Sequence, residues 1–292
     1  MRPDKPSQTA LRVALARAIE SRLPKKKRLC FDSHAKYFLD APSKRIYETW
    51  FRRKLYFLKS NRFMPGIIGS VMVRTRFIDD YLHKSIANGI EQLVILGAGY
   101  DTRAFRFAEV LDGIKVYEVD HPATQERKIL LLKRKLGTLP AHVTYVPIRF
   151  NSEDLVENLT AAGYCKNVKT VFIWEGVTYY LTRQAVEKTL RDVTEASGSG
   201  SSIVFDYFPS SVADGSCLLK EAQNMRAFFS QLDEEIKFGI EPRAIGDFLS
   251  AWGYDNIRNF TYEDFKKMYL GEKRRKRRIS ELFSIASASV SA

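Results

Sequence analysis

The residues most suited to chemistry begin with Val94-Ile-Leu-Gly-Ala-Gly-Tyr-Asp-Thr-Arg103, an apolar run leading straight into Gly97, Ala98 and Gly99. Glycines at such a turn let the backbone fold tightly and approach a ligand with no Cβ in the way. Asp120 ends the next apolar run, 21 residues after Gly99. An acid there can accept both hydrogen bonds of a ribose diol. Together the two features read as a site for an adenosine-type cofactor over strand ends. Either alone would equally serve a structural turn or a solvated aspartate.

The spacing also bears on which cofactor. A dinucleotide fingerprint wants a small residue three places after the second glycine, and Thr102 stands there. Asp101 would put an acid where a helix N-terminus normally receives pyrophosphate. That acid is no handicap to a cofactor with an amino-acid tail and a cationic sulfur. Glu175, closing a later apolar strand, needs a partner, and a cofactor ammonium would supply one. The histidines His34, His83, His121 and His142 are scattered, without metal-like spacing, and no catalytic residue or metal site is assigned.

The elements around these residues alternate. Helical spacing of Leu11, Leu15, Ala18 and Ile19 predicts a helix over 9–22. Residues 31–64, rich in aromatics from Phe31 to Phe63, read as a helical layer on or over the sheet, with the aromatics as core. A helix over 70–88 follows the Met64-Pro65-Gly66 break. Strands are expected at 92–96, 114–119, 143–148, 168–174 and 202–207. Helices are expected between them at 122–136 (Ile129, Leu130 and Leu132 inward), 152–162 and 183–196. This alternation implies an α/β fold, a doubly wound parallel sheet with helices on both faces. A helical insertion at 209–238, a helix at 242–252 opened by Pro242 and two strands at 255–260 and 279–289 complete the reading. It gives one domain over 1–292: a helical cap (1–90), a cofactor-binding core (91–208), a helical insertion (209–254) and a final strand pair (255–292).

Composition narrows the class. The 292 residues are 45 % apolar, with 19 Phe and 14 Tyr, enough for a packed core. Three unspaced cysteines argue against a disulfide framework and fit a reducing cytoplasm. No apolar run approaches a membrane span, and Met1 to Gln8 is too polar for a secretory leader. The net charge of +13 is concentrated: Lys25–Arg28 carries four positive charges and Lys273–Arg278 six, leaving +3 elsewhere. Such runs bind phosphates or anionic lipid, or are simply solvated. Pro24-Lys-Lys-Lys-Arg28 also has the form of a nuclear address.

Across roughly residues 10–290 the chain resembles the leucine carboxyl methyltransferase family, chiefly its microbial S-adenosyl-L-methionine-dependent branch. The matching blocks are Cys30-Phe-Asp-Ser-His-Ala-Lys-Tyr-Phe-Leu39, Val73-Arg-Thr-Arg-Phe-Ile-Asp79, Leu96-Gly-Ala-Gly-Tyr-Asp-Thr-Arg103, Glu118-Val-Asp-His-Pro122, Trp174-Glu-Gly-Val-Thr-Tyr-Tyr-Leu181 and Phe238-Gly-Ile-Glu-Pro242. The resemblance implies a class I methyltransferase with a Rossmann-like seven-stranded sheet, its last strand antiparallel beside the sixth. It implies that Arg74 and Lys36 hold the carboxylate of the methionine moiety, that Gly97, Ala98 and Gly99 line that moiety, that Asp120 binds ribose and that Glu175 meets the amino group. Tyr179 and Tyr180 would face the acceptor. One position departs from the pattern: where relatives carry an adenine-binding Asp, this chain has Arg149, which has donors only. Asn151 or Glu153 would take over, or adenine would rest on Phe150 and backbone groups.

The reading is therefore an S-adenosylmethionine-dependent O-methyltransferase acting on a carboxylate or other small-molecule acceptor. A carboxylate acceptor is already ionised and needs no general base. The alternatives are an RNA or protein methyltransferase guided by the basic clusters, or a non-catalytic cofactor-binding relative.

Overall fold

A computed structural model describes residues 6–274 and 276–291. Part of the polar stretch from Met1 to Gln8, and Arg275 within the second basic run, lie outside the described residues. Seven strands form one sheet: β1 (Gln92–Leu96), β2 (Lys115–Asp120), β3 (Val143–Pro147), β4 (Thr170–Trp174), β5 (Ser202–Tyr207), β6 (Tyr254–Phe260) and β7 (Ser284–Val290). Their order is β3-β2-β1-β4-β5-β7-β6. Strands β1 to β5 run parallel, and β7 is antiparallel to both its neighbours, β5 and β6. Every residue of β1 and β4 is buried, as expected of strands covered on both faces. The chain leaves β1 toward β2 and β3 and later returns to β4, so the reversal of strand order falls between β1 and β4. In open α/β sheets a ligand crevice forms at that point.

Four N-terminal helices precede the sheet: α1 (Gln8–Ser21), α2 (Ala41–Glu48), α3 (Trp50–Phe63) and α4 (Ile67–Ala87). The hydroxyl of Ser7 caps α1 by accepting from the Ala10 N–H, one of the donors a helix start leaves unpaired. α4 is the buried member, with Met72, Val73, Ile78 and Leu82 fully inside. The expectation that the aromatics of 31–64 are core holds for Phe38, which stacks on Tyr100 at 4.8 Å. It fails for Phe31, which is exposed under Arg28 at 4.0 Å, and for Trp50, Phe51 and Phe63, because α3 rests on the body along a narrow face and buries no residue completely.

After β1 come α5 (Arg103–Arg106), α6 (Pro122–Leu136), α7 (Leu155–Ala161) and α8 (Arg183–Ala196). The inward face of α6 differs from expectation. Thr124, Gln125, Lys128 and Leu132 are buried while Leu130 is exposed. The inward face carries an ion pair: Lys128 reaches Glu118, in β2, at 2.6 Å. Burial pushes the Glu118 carboxyl up to about 7, against the pull of Lys128.

The insertion after β5 is two short helices, α9 (Ser210–Asp214) and α10 (Lys220–Gln231), separated by the left-handed Gly215. α11 spans only Ile245–Ser250, so Pro242 lies ahead of it rather than in its first turn, and its carbonyl accepts from Asn259. A helix not expected from periodicity, α12 (Tyr262–Tyr269), follows β6 and is held by a capping box of Thr261 and Asp264.

β7 begins later than expected because residues 279–283 are spent against α4. Ile279, Leu282 and Phe283 are buried there. The backbone of Arg278 comes so close to Gly69, and that of Ile279 to Gly66, that a Cβ on either glycine would collide with it. The second basic run is therefore not at a sheet edge. Arg277 forms two 2.8 Å bonds to the buried Glu20 of α1, and Arg274 donates to the carbonyl of Arg28. The two basic clusters meet on one side of the molecule.

Candidate active site

The turn after β1 is built for close approach. Gly97 has φ +67° and Gly99 φ +45°, in the left-handed region that favours glycine. A Cβ on Gly97 would run into the side chain of Val177. Asp120, at the end of β2, faces this turn. One carboxylate oxygen accepts the N–H of Gly99 and the other accepts the N–H of His121 at 2.6 Å. Burial raises the Asp120 carboxyl to about 6, although both backbone donors and Lys128 favour its charged form.

A cavity of about 710 Å³ opens over the carboxyl ends of β1, β2 and β4. Gly97, Ala98, Gly99, Asp120, Phe150 and Glu175 all line it, as do Arg74, Tyr179 and Tyr180. The structure thus brings together nine of the ten residues singled out from the sequence. Lys36 is the exception: it is exposed on the turn Ala35–Phe38, with its ammonium 5.6 Å from the Tyr37 ring, and does not reach the cavity. The cation on that wall is Arg17 of α1, which donates to Asp32 at 2.9 Å and to the carbonyl of Tyr100. Sequence reading missed it because an arginine among the alanines and leucines of an amphipathic helix reads as an ordinary polar-face residue.

The floor is a chain of buried charges. Glu175, at the end of β4, accepts from Arg74 of α4 at 2.8 Å and from Arg103 of α5 at 2.6 Å. Burial alone would raise its carboxyl, but Arg103, Arg74 and Arg17 together hold it well below the carboxylate range. It is therefore a fixed negative charge. Arg103 continues to Asp101 and to Asp79. Asp101 is thus engaged by its own neighbour in sequence. Arg74 also donates through Nη1 to Asp206 at 2.7 Å and to the Tyr179 hydroxyl at 3.4 Å. Burial opposes its charge, and Asp206 and Glu175 overcome that. Its Nη2 has no hydrogen-bond partner among the described residues.

Arg149 lines the cavity rim, half exposed, and pairs with Glu153 at 3.1 Å. The same Glu153 accepts the Arg149 N–H at 2.8 Å. Of the two acceptors expected to substitute here, Glu153 is thus already engaged by Arg149 itself, while Asn151 lines the cavity.

A second cavity of about 480 Å³ adjoins the first. Arg74 and Tyr179 line both and so mark the junction, whereas Tyr180 lines only the first. The second cavity is walled by α1, α3, α4 and α10 and by aromatics such as Tyr56, Phe208 and Phe229. Among the described residues its lining cations are Arg12, Arg52, Lys59 and Arg74, and the lining contains no acid and no histidine.

Parallel strands with an antiparallel pair at one end, and a glycine turn facing an acid over the strand ends, define a class I methyltransferase dependent on S-adenosyl-L-methionine. Comparison with known proteins agrees. The sequence model of leucine carboxyl methyltransferase matches residues 10–194, and the chain belongs to that family. It is 29 % identical over 290 residues to "Putative S-adenosyl-L-methionine-dependent methyltransferase YktD" of Bacillus subtilis (strain 168), covering 94 % of each chain. It is 41 % identical over 133 residues to a protein of the same description from Streptomyces coelicolor, SCO7813, covering 45 % of this chain and 46 % of that one. Among solved structures, a "putative methyltransferase" from Thermobifida fusca YX superposes with a TM-score of 0.62 at 12 % identity. That match covers 99 % of this chain and 96 % of the other and shows the shared fold.

Proposed function

We propose that the enzyme methylates a carboxylate on a largely apolar acceptor, with cofactor and acceptor in the two adjoining cavities. The observation that carries this reading is the lining of the smaller cavity: aromatic and aliphatic walls, four cations, no acid and no histidine. A carboxylate acceptor is drawn to such cations and needs no base to remove a proton, whereas an alcohol would need one.

The residues of the larger cavity fit S-adenosylmethionine. The Gly97–Gly99 turn brings bare backbone to the cavity wall. Asp120 is a buried acceptor for a ribose diol. Glu175, ionised and held, offers a negative charge to an ammonium, and Phe150 offers a flat wall to adenine. Arg74 and Arg17 are the nearby donors for a carboxylate. When bound, the cofactor supplies a methyl group activated by sulfonium. The chain's own part is positioning. Tyr179 and Arg74 hold the junction between the cavities, and the aromatic walls exclude water.

The test is methyl transfer from labelled S-adenosylmethionine to matched pairs of apolar acids and alcohols. The product expected is a methyl ester, made from the acid only and releasing methanol in alkali. A base-stable product, or preference for the alcohol, would overturn the carboxylate assignment. Transfer to RNA alone would move the acceptor to another class.

A further inference from the structure

α3 is the least buried helix of the cap, and its sequence explains why. Phe51, Leu55 and Leu58 recur at i, i+4 and i+7, which places them on one face. That face points outward, with Phe51 58 % exposed, Leu58 59 % and Leu55 39 %, and the neighbouring Trp50 is 68 % exposed. Tyr56 and Phe57, on the opposite side, are the residues packed against the core.

Cations flank the outer stripe, Lys54 on one side and Arg52 and Lys59 on the other, and Arg62, four residues after Leu58, closes its C-terminal end. None has an ion-pair partner among the described residues. From Thr49 to Ile78 the chain has no Asp or Glu at all. The positive surface continues along the cap. Arg22 stacks on Tyr47 of α2 at 5.0 Å, just before the two basic clusters that Arg274 and Arg28 bring together. The apolar cavity adjoins the stripe and shares Leu55 with it, and Arg52 and Lys59 also line it.

An outward aromatic and aliphatic stripe between unpaired cations matches one surface in both halves: an anionic lipid leaflet, with headgroups for the cations and acyl chains for the stripe. We propose that α3 is an interfacial helix that lies on an anionic membrane surface, so that an amphiphilic acceptor enters the apolar cavity from the leaflet. The docking stands on α3 alone. The entry of the acceptor rests on the assignment of the apolar cavity as the acceptor site. No helix among the described residues is long and apolar enough to cross a membrane, so attachment would be peripheral.

The experiment is co-sedimentation of the full chain with phosphatidylcholine vesicles, with and without phosphatidylglycerol, at about 0.1 M salt. Phe51, Lys54, Leu58 and Arg62 do not line either cavity, so they can be changed without touching the site. Binding is expected to the phosphatidylglycerol vesicles only. F51S/L58S should weaken it roughly tenfold or more, and K54Q/R62Q should make it fail at lower salt. Retained binding of S-adenosylhomocysteine by calorimetry would show that both variants are folded. Wild-type protein that stays in the supernatant overturns the proposal, as does an F51S/L58S variant that sediments like wild type. So does a wild-type dimer that F51S/L58S converts to monomer, since a second copy would then cover α3. Vesicle binding without formation of methyl esters would leave this docking intact and count only against the carboxylate assignment.

Discussion

Arg74, midway along α4, places Nη1 2.7 Å from the carboxylate of Asp206 in β5. Asp206 is fully buried and also accepts the Gly176 N–H at 2.6 Å. The acid therefore ties together the guanidinium at the cavity junction and the loop after β4. Removing one partner strands the other's charge. Asp206→Ala should cost about 3–5 kcal/mol of stability, the usual penalty for an orphaned buried charge. Denaturant unfolding would measure it, and a loss below about 1 kcal/mol would show that the pair is not structurally required.

Asp120 makes cofactor affinity sensitive to pH. Its carboxyl is raised by burial from 3.8 to about 6, so the charged ribose acceptor exists fully only above that value. Affinity for S-adenosylhomocysteine should fall roughly tenfold between pH 7 and pH 5, read by titration calorimetry. Asp120→Asn should bind more weakly at pH 7 and lose that pH dependence. The folded state holds a proton here that the unfolded chain has released. The group's contribution to stability therefore declines as pH rises from about 4 to about 6, and is flat above.

Gly97→Ala should damage site and fold together. The position requires a positive φ, and the added methyl meets Val177. A loss of about 1–3 kcal/mol is expected, with cofactor affinity reduced by at least an order of magnitude. Adding Val177→Ala should recover part of the loss by relieving the contact, but not the part due to backbone conformation. Full recovery would locate the whole effect in the side-chain clash.

The basic run divides into two roles. Arg277 neutralises Glu20, which is fully buried, while remaining 22 % exposed itself. Arg277→Ala should destabilise the chain by about 2–4 kcal/mol. Arg278→Gln, which lacks an ion-pair partner among the described residues, should be near neutral. Thermal unfolding separates the two, and cofactor affinity measured well below the transition should be unchanged in both.

What the sequence disclosed and what it withheld follow a physical division. β1, α6, α8 and β5 have the bounds expected from pattern alone, because local periodicity and capping residues such as Thr182 fix them. The turn Gly97–Gly99 and Asp120 were legible because a tight turn and a buried acid each leave a residue-type signature. The inward face of α6 was not, since Lys128 is buried there against Glu118 of another layer. The place of Arg17 in the cavity wall, the exposure of Lys36 and the docking of Arg277 onto Glu20 are likewise contacts between distant segments. Helical spacing cannot distinguish an inward stripe from an outward one, so α3 was read as core.

β7 follows the other six strands of the sheet in chain order, yet it lies inside the sheet between β5 and β6. β6 reaches the other strands only through it. Until residues 284–290 leave the exit tunnel, β5 presents an open, unpaired edge and β6 has nothing to join. A newborn chain held by a chaperone, or one cut short before residue 284, would expose the kind of strand edge from which aggregation starts.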